Sequence, residues 1–166
     1  MRRRYEDGER GVAGGACPPG PEPPVHAGRV AAWLSKQVEL ALDGAGLTLP
    51  QYRLLLLLDA GPTISSALAD RLAVRPPSVT AVVDGLVGRG LVERRQSEVD
   101  RRRVSHVLTP GGRRVLAAAD EAVDARLQAI AGCLPGERPA RRALQGMALW
   151  QQALLAHRER VLGARR

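Results

Sequence analysis

Val30, Trp33, Leu34, Val38, Ala41 and Leu42 recur at three- and four-residue steps and give way to Gly44 and Gly46, a pattern that predicts an amphipathic helix over residues 25–42. Thr48-Leu49-Pro50-Gln51 then has the form of a capping box: Thr48 stands as N-cap, Gln51 reaches back, and Pro50 sits in the first turn, where its missing N–H costs little. A second helix is expected from there to Ala60, and its five successive leucines, Leu54 to Leu58, predict burial on every side. Gly61-Pro62 stops it. Thr63-Ile64-Ser65 reads as a short extended piece, and residues 66–72 as a small helix with Ala67, Leu68 and Leu72 apolar. Because Arg75 precedes Pro76-Pro77 it should be extended, with a further helix over residues 76–88. The apolar stripe of that helix is Val79, Val82, Val83 and Leu86, which turns Ser78, Thr80, Ala81, Asp84 and Gly85 toward solvent.

Two short helices joined by a tight turn make a helix-turn-helix, whose second helix is the one that enters a major groove. Residues 91–96 and 104–108 have strand character, and the loop between them, Ser97-Glu98-Val99-Asp100-Arg101-Arg102-Arg103, is polar and basic, which describes a β-hairpin wing. Thr109-Pro110 caps a long helix carrying Leu116, Ala119, Val123, Leu127 and Ile130. After a break at Gly132-Cys133-Leu134-Pro135-Gly136, a last helix over roughly residues 139–162 carries Leu144, Met147, Leu154, Val161 and Leu162. Apolar stripes of that length outside the compact middle of the chain call for a partner, and a second copy is the simplest one.

The expected fold is therefore mainly α with a small β-wing: a winged helix-turn-helix head over residues 47–110, flanked by an N-terminal dimerisation helix (25–46) and C-terminal dimerisation helices (111–166). Residues 1–24, rich in Gly and Pro and without hydrophobic period, read as a disordered tail whose charges cancel. At 166 residues the chain is too short for a typical two-domain enzyme. The longest apolar run falls far below a bilayer span of roughly 20 residues. Met1-Arg2-Arg3-Arg4 is followed by polar rather than apolar residues, so a cytoplasmic location and no membrane association are expected.

The net charge of +8 lies wholly beyond the tail, and Lys36 is the one lysine among 25 basic residues, so the surface is that of arginine, suited to bidentate phosphate contacts. A GC-rich genome offers a second source for that bias. Eight arginines against three acids between Arg89 and Arg114 hold more than half the surplus. With two Trp, two Tyr and no Phe, the chain lacks the aromatics of single-strand binders, which favours duplex DNA as partner. Cys17 and Cys133 are far apart, and His26, His106 and His157 share no ligand spacing, so neither metal nor cofactor is expected, and redox sensing only weakly. His106, in a wing strand, is expected at the surface or on a phosphate. No Ser/His/Asp, paired-carboxylate or phosphate-loop arrangement points to an enzyme.

The stretch from Leu47 to Ala118 resembles the MarR family of bacterial winged helix-turn-helix regulators. The resemblance rests on Leu47-Thr48-x-x-Gln51-Tyr52, Leu68-Ala69-Asp70-Arg71-Leu72, Val79-Thr80, Leu86-x-x-x-Gly90-Leu91-Val92-x-Arg94, Asp100-Arg101-Arg102 and Leu108-Thr109-x-x-Gly112, in that order. It implies a homodimer reading a pseudo-palindrome, a role as repressor, and release by a small aromatic or acidic effector or an oxidant. In the family pattern Asp100 orients an arginine one or two residues on, Arg101 or Arg102, for the minor groove; Arg102 is the favoured one, with Arg103 beside it. Arg75, Pro76, Pro77, Ser78, Thr80 and Ala81 would face the major groove, the alternative for Ser78 and Thr80 being helix capping, and only one of Arg94 and Arg95 can turn to DNA. Ala81 and Pro76-Pro77 depart from the polar residues usual in relatives, so base readout should be thin, with low-specificity architectural binding as the competing function. Trp33, Tyr52, Arg53 and Trp150 are the candidate effector contacts, although aromatics at helical spacing more often belong to a core.

Overall fold

The computed structural model describes residues 26–96 and 104–163. The segment 1–24 with Cys17, and the wing-tip residues Asp100, Arg101, Arg102 and Arg103, lie outside the described residues. Six helices and three strands follow in the order α1 (Ala27–Gly44), α2 (Leu49–Asp59), β1 (Thr63–Ile64), α3 (Ser65–Leu72), α4 (Pro76–Gly88), β2 (Val92–Gln96), β3 (Val104–Leu108), α5 (Pro110–Ala131) and α6 (Glu137–Gly163). The strands form one antiparallel sheet in the order β1-β3-β2, with Val92 opposite Leu108 at one end of the β2–β3 pair and Gln96 opposite Val104 at the other.

Local chemistry sets the boundaries. The Gln51 N–H donates to Thr48 Oγ1 at 3.4 Å while Gln51 Oε1 accepts from the Thr48 N–H at 3.0 Å, so the capping box that opens α2 is formed. Arg75 is extended at φ −70°, ψ 143°, and Pro76 starts α4, as the double proline requires. Between α3 and α4 the chain reverses through Ala73, at φ 53°, ψ 43°, the one non-glycine residue at positive φ among those described. Helices commonly end on such a left-handed residue, usually glycine, because a Cβ there costs roughly 1–2 kcal/mol. Glycine also has more unfolded-state freedom to lose, which offsets part of that gain. Ala73→Gly is therefore expected to raise stability by about 0.5–1 kcal/mol, read as a higher urea midpoint at unchanged slope.

A single core joins the head. Leu54, Leu55 and Leu58 of α2 meet Leu42 of α1, Leu68 of α3, Val79, Val83 and Leu86 of α4, Val92 and Leu108 of the wing strands, and Leu116 and Ala119 of α5. Each such leucine contributes about 1.5–3 kcal/mol by its burial. The expectation that α2 is buried on every side does not hold: Leu56 is exposed, as are Pro50 and Arg53 on the same side, and Leu57 is half-buried. The core, with α5 among its elements, surrounds the other sides only, so a leucine run around the whole helix leaves one of its members in water.

At the head's lower edge, Thr109 caps α5 by accepting from the Gly112 N–H at 2.9 Å, and its hydroxyl lies 2.8 Å from the Gly90 carbonyl and 3.1 Å from that of Leu91. Gly112 lies directly on the Leu91 carbonyl, where an added Cβ would stand 2.1 Å from the oxygen. From there α5 leaves the head, with α1 packed along it and Arg126 tied to Gln37 at 2.6 and 3.0 Å. Helix α6 doubles back on α5, and beyond that contact Leu149, Trp150, Leu154 and Leu155 are each 53–64% exposed.

Candidate nucleic-acid interface

The first turns of α4 gather six of the residues expected to face DNA. Arg75, Pro76, Pro77, Ser78, Thr80 and Ala81 are all exposed, while Val79 and Val83 fix the opposite side of the helix in the core. Neither hydroxyl caps the helix: the Thr80 Oγ1 donates to the Pro76 carbonyl at 3.3 Å, and no side chain caps α4 at Arg75. Thr80 thus keeps only its acceptor lone pairs for an outside partner, and among the described residues the Ser78 hydroxyl makes no hydrogen bond. Pro76, Pro77 and Ala81 offer apolar surface of the kind that meets a thymine methyl.

On β2 the two arginines diverge, as alternation demands. Arg94 turns to α4 and pairs with Asp84, both groups about half exposed. The Nε of Arg95 donates to Glu93 at 2.6 Å, on the other face of the sheet. Arg94 therefore fastens the wing to the recognition helix, a partnership that charge spacing alone did not reveal because Asp84 is ten residues away on another element. Arg89 does similar work one turn further on, donating to the Gly46 carbonyl at 2.8 Å and holding the end of α4 to the loop after α1.

His106 overturns its expected place. It is only 3% exposed, in the middle strand between Thr63 of β1 and Arg94 of β2, with its Nε2 2.7 Å from Ser65 Oγ at the start of α3. Val104, His106 and Leu108 share one face of β3, exposed at the Val104 end and buried from His106 onward, so the imidazole is out of reach of a phosphate. Its pKa is held below the ordinary value, first by burial and then by the Arg94 guanidinium, with Asp84 acting in the opposite sense.

The four aromatic and basic residues expected near an effector are not drawn together in one cavity among the described residues. Tyr52 donates its hydroxyl to Asp120 of α5 at 2.5 Å, and burial, that hydrogen bond and the charges of Asp120 and Asp124 all raise its pKa. Trp33 is 69% exposed on α1, Trp150 is exposed on α6, and Arg53 is exposed on α2. Two surface depressions, of about 250 Å³ between α1 and the start of α2 and about 310 Å³ at the start of α6, are lined by other residues. Cys133 is exposed in the turn between α5 and α6, and no group of three metal-ligating side chains occurs among the described residues. No described helix is long and apolar enough to cross a membrane.

An exposed recognition helix, a hairpin fastened beside it and a long helical stem define a winged helix-turn-helix protein. The comparisons give it a family. A model described as "MarR family" matches residues 45–103. The transcriptional repressor Rv2887 of Mycobacterium tuberculosis is 37% identical over 125 residues, covering 70% of this chain and 86% of that protein. Among solved structures, the transcriptional repressor CouR bound to a 23-mer DNA duplex matches with a TM-score of 0.61 at 32% identity, covering 75% of this chain and 88% of that one. CouR from Rhodococcus jostii RHA1 bound to p-coumaroyl-CoA matches with a TM-score of 0.60 at 26% identity, covering 76% and 87%. The chain belongs to the MarR family of winged helix-turn-helix transcriptional regulators.

Proposed function

We propose that this regulator is a homodimeric repressor that binds a pseudo-palindromic duplex operator sequence-specifically and has no catalytic activity of its own. The observation that carries the reading is the exposed run from Arg75 to Ala81 at the start of α4, aimed outward beside an arginine-rich wing. The likeness to CouR solved on a DNA duplex supports the duplex partner, and the exposed leucines of α6 support the second copy. Release by a small-molecule effector, aromatic or acidic, is part of the proposal; the likeness to CouR solved with p-coumaroyl-CoA supports it. Trp33, Tyr52, Arg53 and Trp150 remain its candidate contacts. The wing-tip residues Asp100, Arg101, Arg102 and Arg103 supply minor-groove insertion, with Arg102 the principal contact and Arg94 bracing the hairpin from below.

A second reading, low-specificity architectural binding, is favoured by one feature: Pro76, Pro77, Ala81 and an inward-bonded Thr80 leave few groups for base readout. Recovery and sequencing of duplex fragments bound from sheared DNA of the source organism separates the two. Enrichment of inverted repeats with half-sites about one helical turn apart is expected. Uniform recovery that collapses at high salt would establish the architectural reading instead. On an enriched fragment, Arg102→Ala is expected to weaken binding about 10- to 100-fold with an unchanged melting curve, measured by fluorescence anisotropy; unchanged affinity removes the wing from the mechanism.

A further inference from the structure

His106 is a buried titratable group that DNA contact does not use, and it stands where α3 meets the three-stranded sheet. Its Nε2 is 2.7 Å from the hydroxyl of Ser65, the first residue of α3. Directly across the sheet on one side is Arg94, whose guanidinium holds Asp84 of α4, and on the other is Thr63 of β1, whose hydroxyl is turned to the Gly61 carbonyl at 3.0 Å. One imidazole thus connects the first helix of the helix-turn-helix with the wing, and through Arg94 with the recognition helix.

Its remaining nitrogen makes this joint conditional. Nδ1 is buried without a hydrogen-bond partner among the described residues. A neutral imidazole carries one N–H and one lone pair, so either tautomer satisfies Ser65 and leaves one site unmet. The protonated ring carries two N–H donors, one of them with nothing to receive it, and adds a buried cation beside Arg94. The charged groups acting on it are Arg94 and Asp84: the arginine opposes protonation, and the aspartate, engaged by that arginine, favours it.

We infer that neutral His106 is a positioning residue for DNA binding, holding the wing against α3 and α4, and that its protonation loosens this joint and lowers affinity for duplex DNA in mildly acidic solution. The inference rests on the DNA-binding reading above. The sign runs against simple electrostatics, since a proton gained near a phosphate ordinarily strengthens binding. It also fixes the stability window: a histidine whose folded pKa lies below its unfolded value of 6.5 leaves stability intact above that pH and removes it as pH falls toward the folded value.

The test compares the full chain with its His106→Gln variant, which keeps a hydrogen-bonding group for Ser65 but does not titrate. The probe is a duplex fragment that the wild type retrieves from sheared DNA at pH 7.5, and affinity is measured down to pH 5.5 at constant ionic strength. Wild-type affinity is expected to fall about fivefold across that range, while the variant stays within about twofold. Parallel profiles, or a wild-type affinity that rises with acid through His106, overturn the inference. His26 and His157 are present in both proteins and cancel in the comparison. If neither protein retrieves any duplex at pH 7.5, the DNA-binding reading is what fails, and thermal unfolding judges the joint. The wild type must then lose more melting temperature than the variant between pH 7.5 and 5.5, and equal losses overturn it.

Discussion

Gly112→Ala is expected to cost roughly 3 kcal/mol or more and to lower the melting temperature by about 10 °C, the largest effect expected of any glycine-to-alanine change among the described residues. The added Cβ would lie 2.1 Å from the Leu91 carbonyl oxygen and 2.7 Å from a methyl of Leu108. A flexible side chain could swing away, but the nearer atom belongs to backbone already fixed from two directions. The Leu91 carbonyl accepts from the Thr109 N–H at 3.1 Å, and the Leu91 N–H donates to Leu86 at the end of α4. Relief therefore requires α5 to lift from the sheet, which also breaks the Thr109 cap and uncovers Leu108 and Leu116. Gly111→Ala is the matching control, because its nearest neighbour is a side-chain oxygen at 3.5 Å, an ordinary contact. Guanidinium denaturation of both variants checks the prediction, and similar midpoints would refute it.

Leu154→Glu is expected to convert the proposed dimer into monomers and to reduce operator affinity about 100-fold or more, because each head then binds its half-site alone. Leu154 is 62% exposed in the single chain, so a carboxylate there costs the protomer's own fold little. In an interlocked pair it would be desolvated without a partner, at about 2–4 kcal/mol, and symmetry repeats that cost in the second copy. Trp150 and Leu155 belong to the same apolar surface, which spreads around α6 and suits a helix inserted between neighbours. Gln152→Glu places an identical charge on the side of the helix away from Leu154, three residues from Leu149 and Leu155, and is expected to weaken assembly less than Leu154→Glu. Sedimentation equilibrium reads the mass directly, and a Leu154→Glu protein that remains dimeric would move the interface elsewhere.

Local signals were the legible ones. Thr48 with Gln51, Pro76-Pro77 and Thr109-Pro110 each act within a few residues, and each marks a helix start in the structure. Alternation likewise separates Arg94 from Arg95, which find Asp84 and Glu93 on opposite faces of the sheet. What the sequence did not carry is which group lies across a fold-back. Asp84 meets Arg94, Tyr52 meets Asp120 and Ser65 meets His106 over separations of 10, 68 and 41 residues, with no spacing rule to announce them. His106 was misplaced because a histidine in a basic hairpin looks like part of the charge, whereas the pleat decides its side. The leucine run of α2 misled for a related reason: composition tells how apolar a helix is, not how many neighbours surround it.

The stem has a mechanical consequence. Helix α5 runs unbroken for 22 residues, about 33 Å at 1.5 Å per residue, and the Leu91–Gly112 contact welds its first turn to the head. A rod of that length tilted by only about 5° at its far end displaces the reading surface by about 3 Å, close to one base-pair step. In the proposed dimer, two heads moving in opposite senses would drift from the expected one-turn spacing while every contact inside each head stayed intact. In such a protein, changes far from α4 can silence binding without touching a residue that faces the groove.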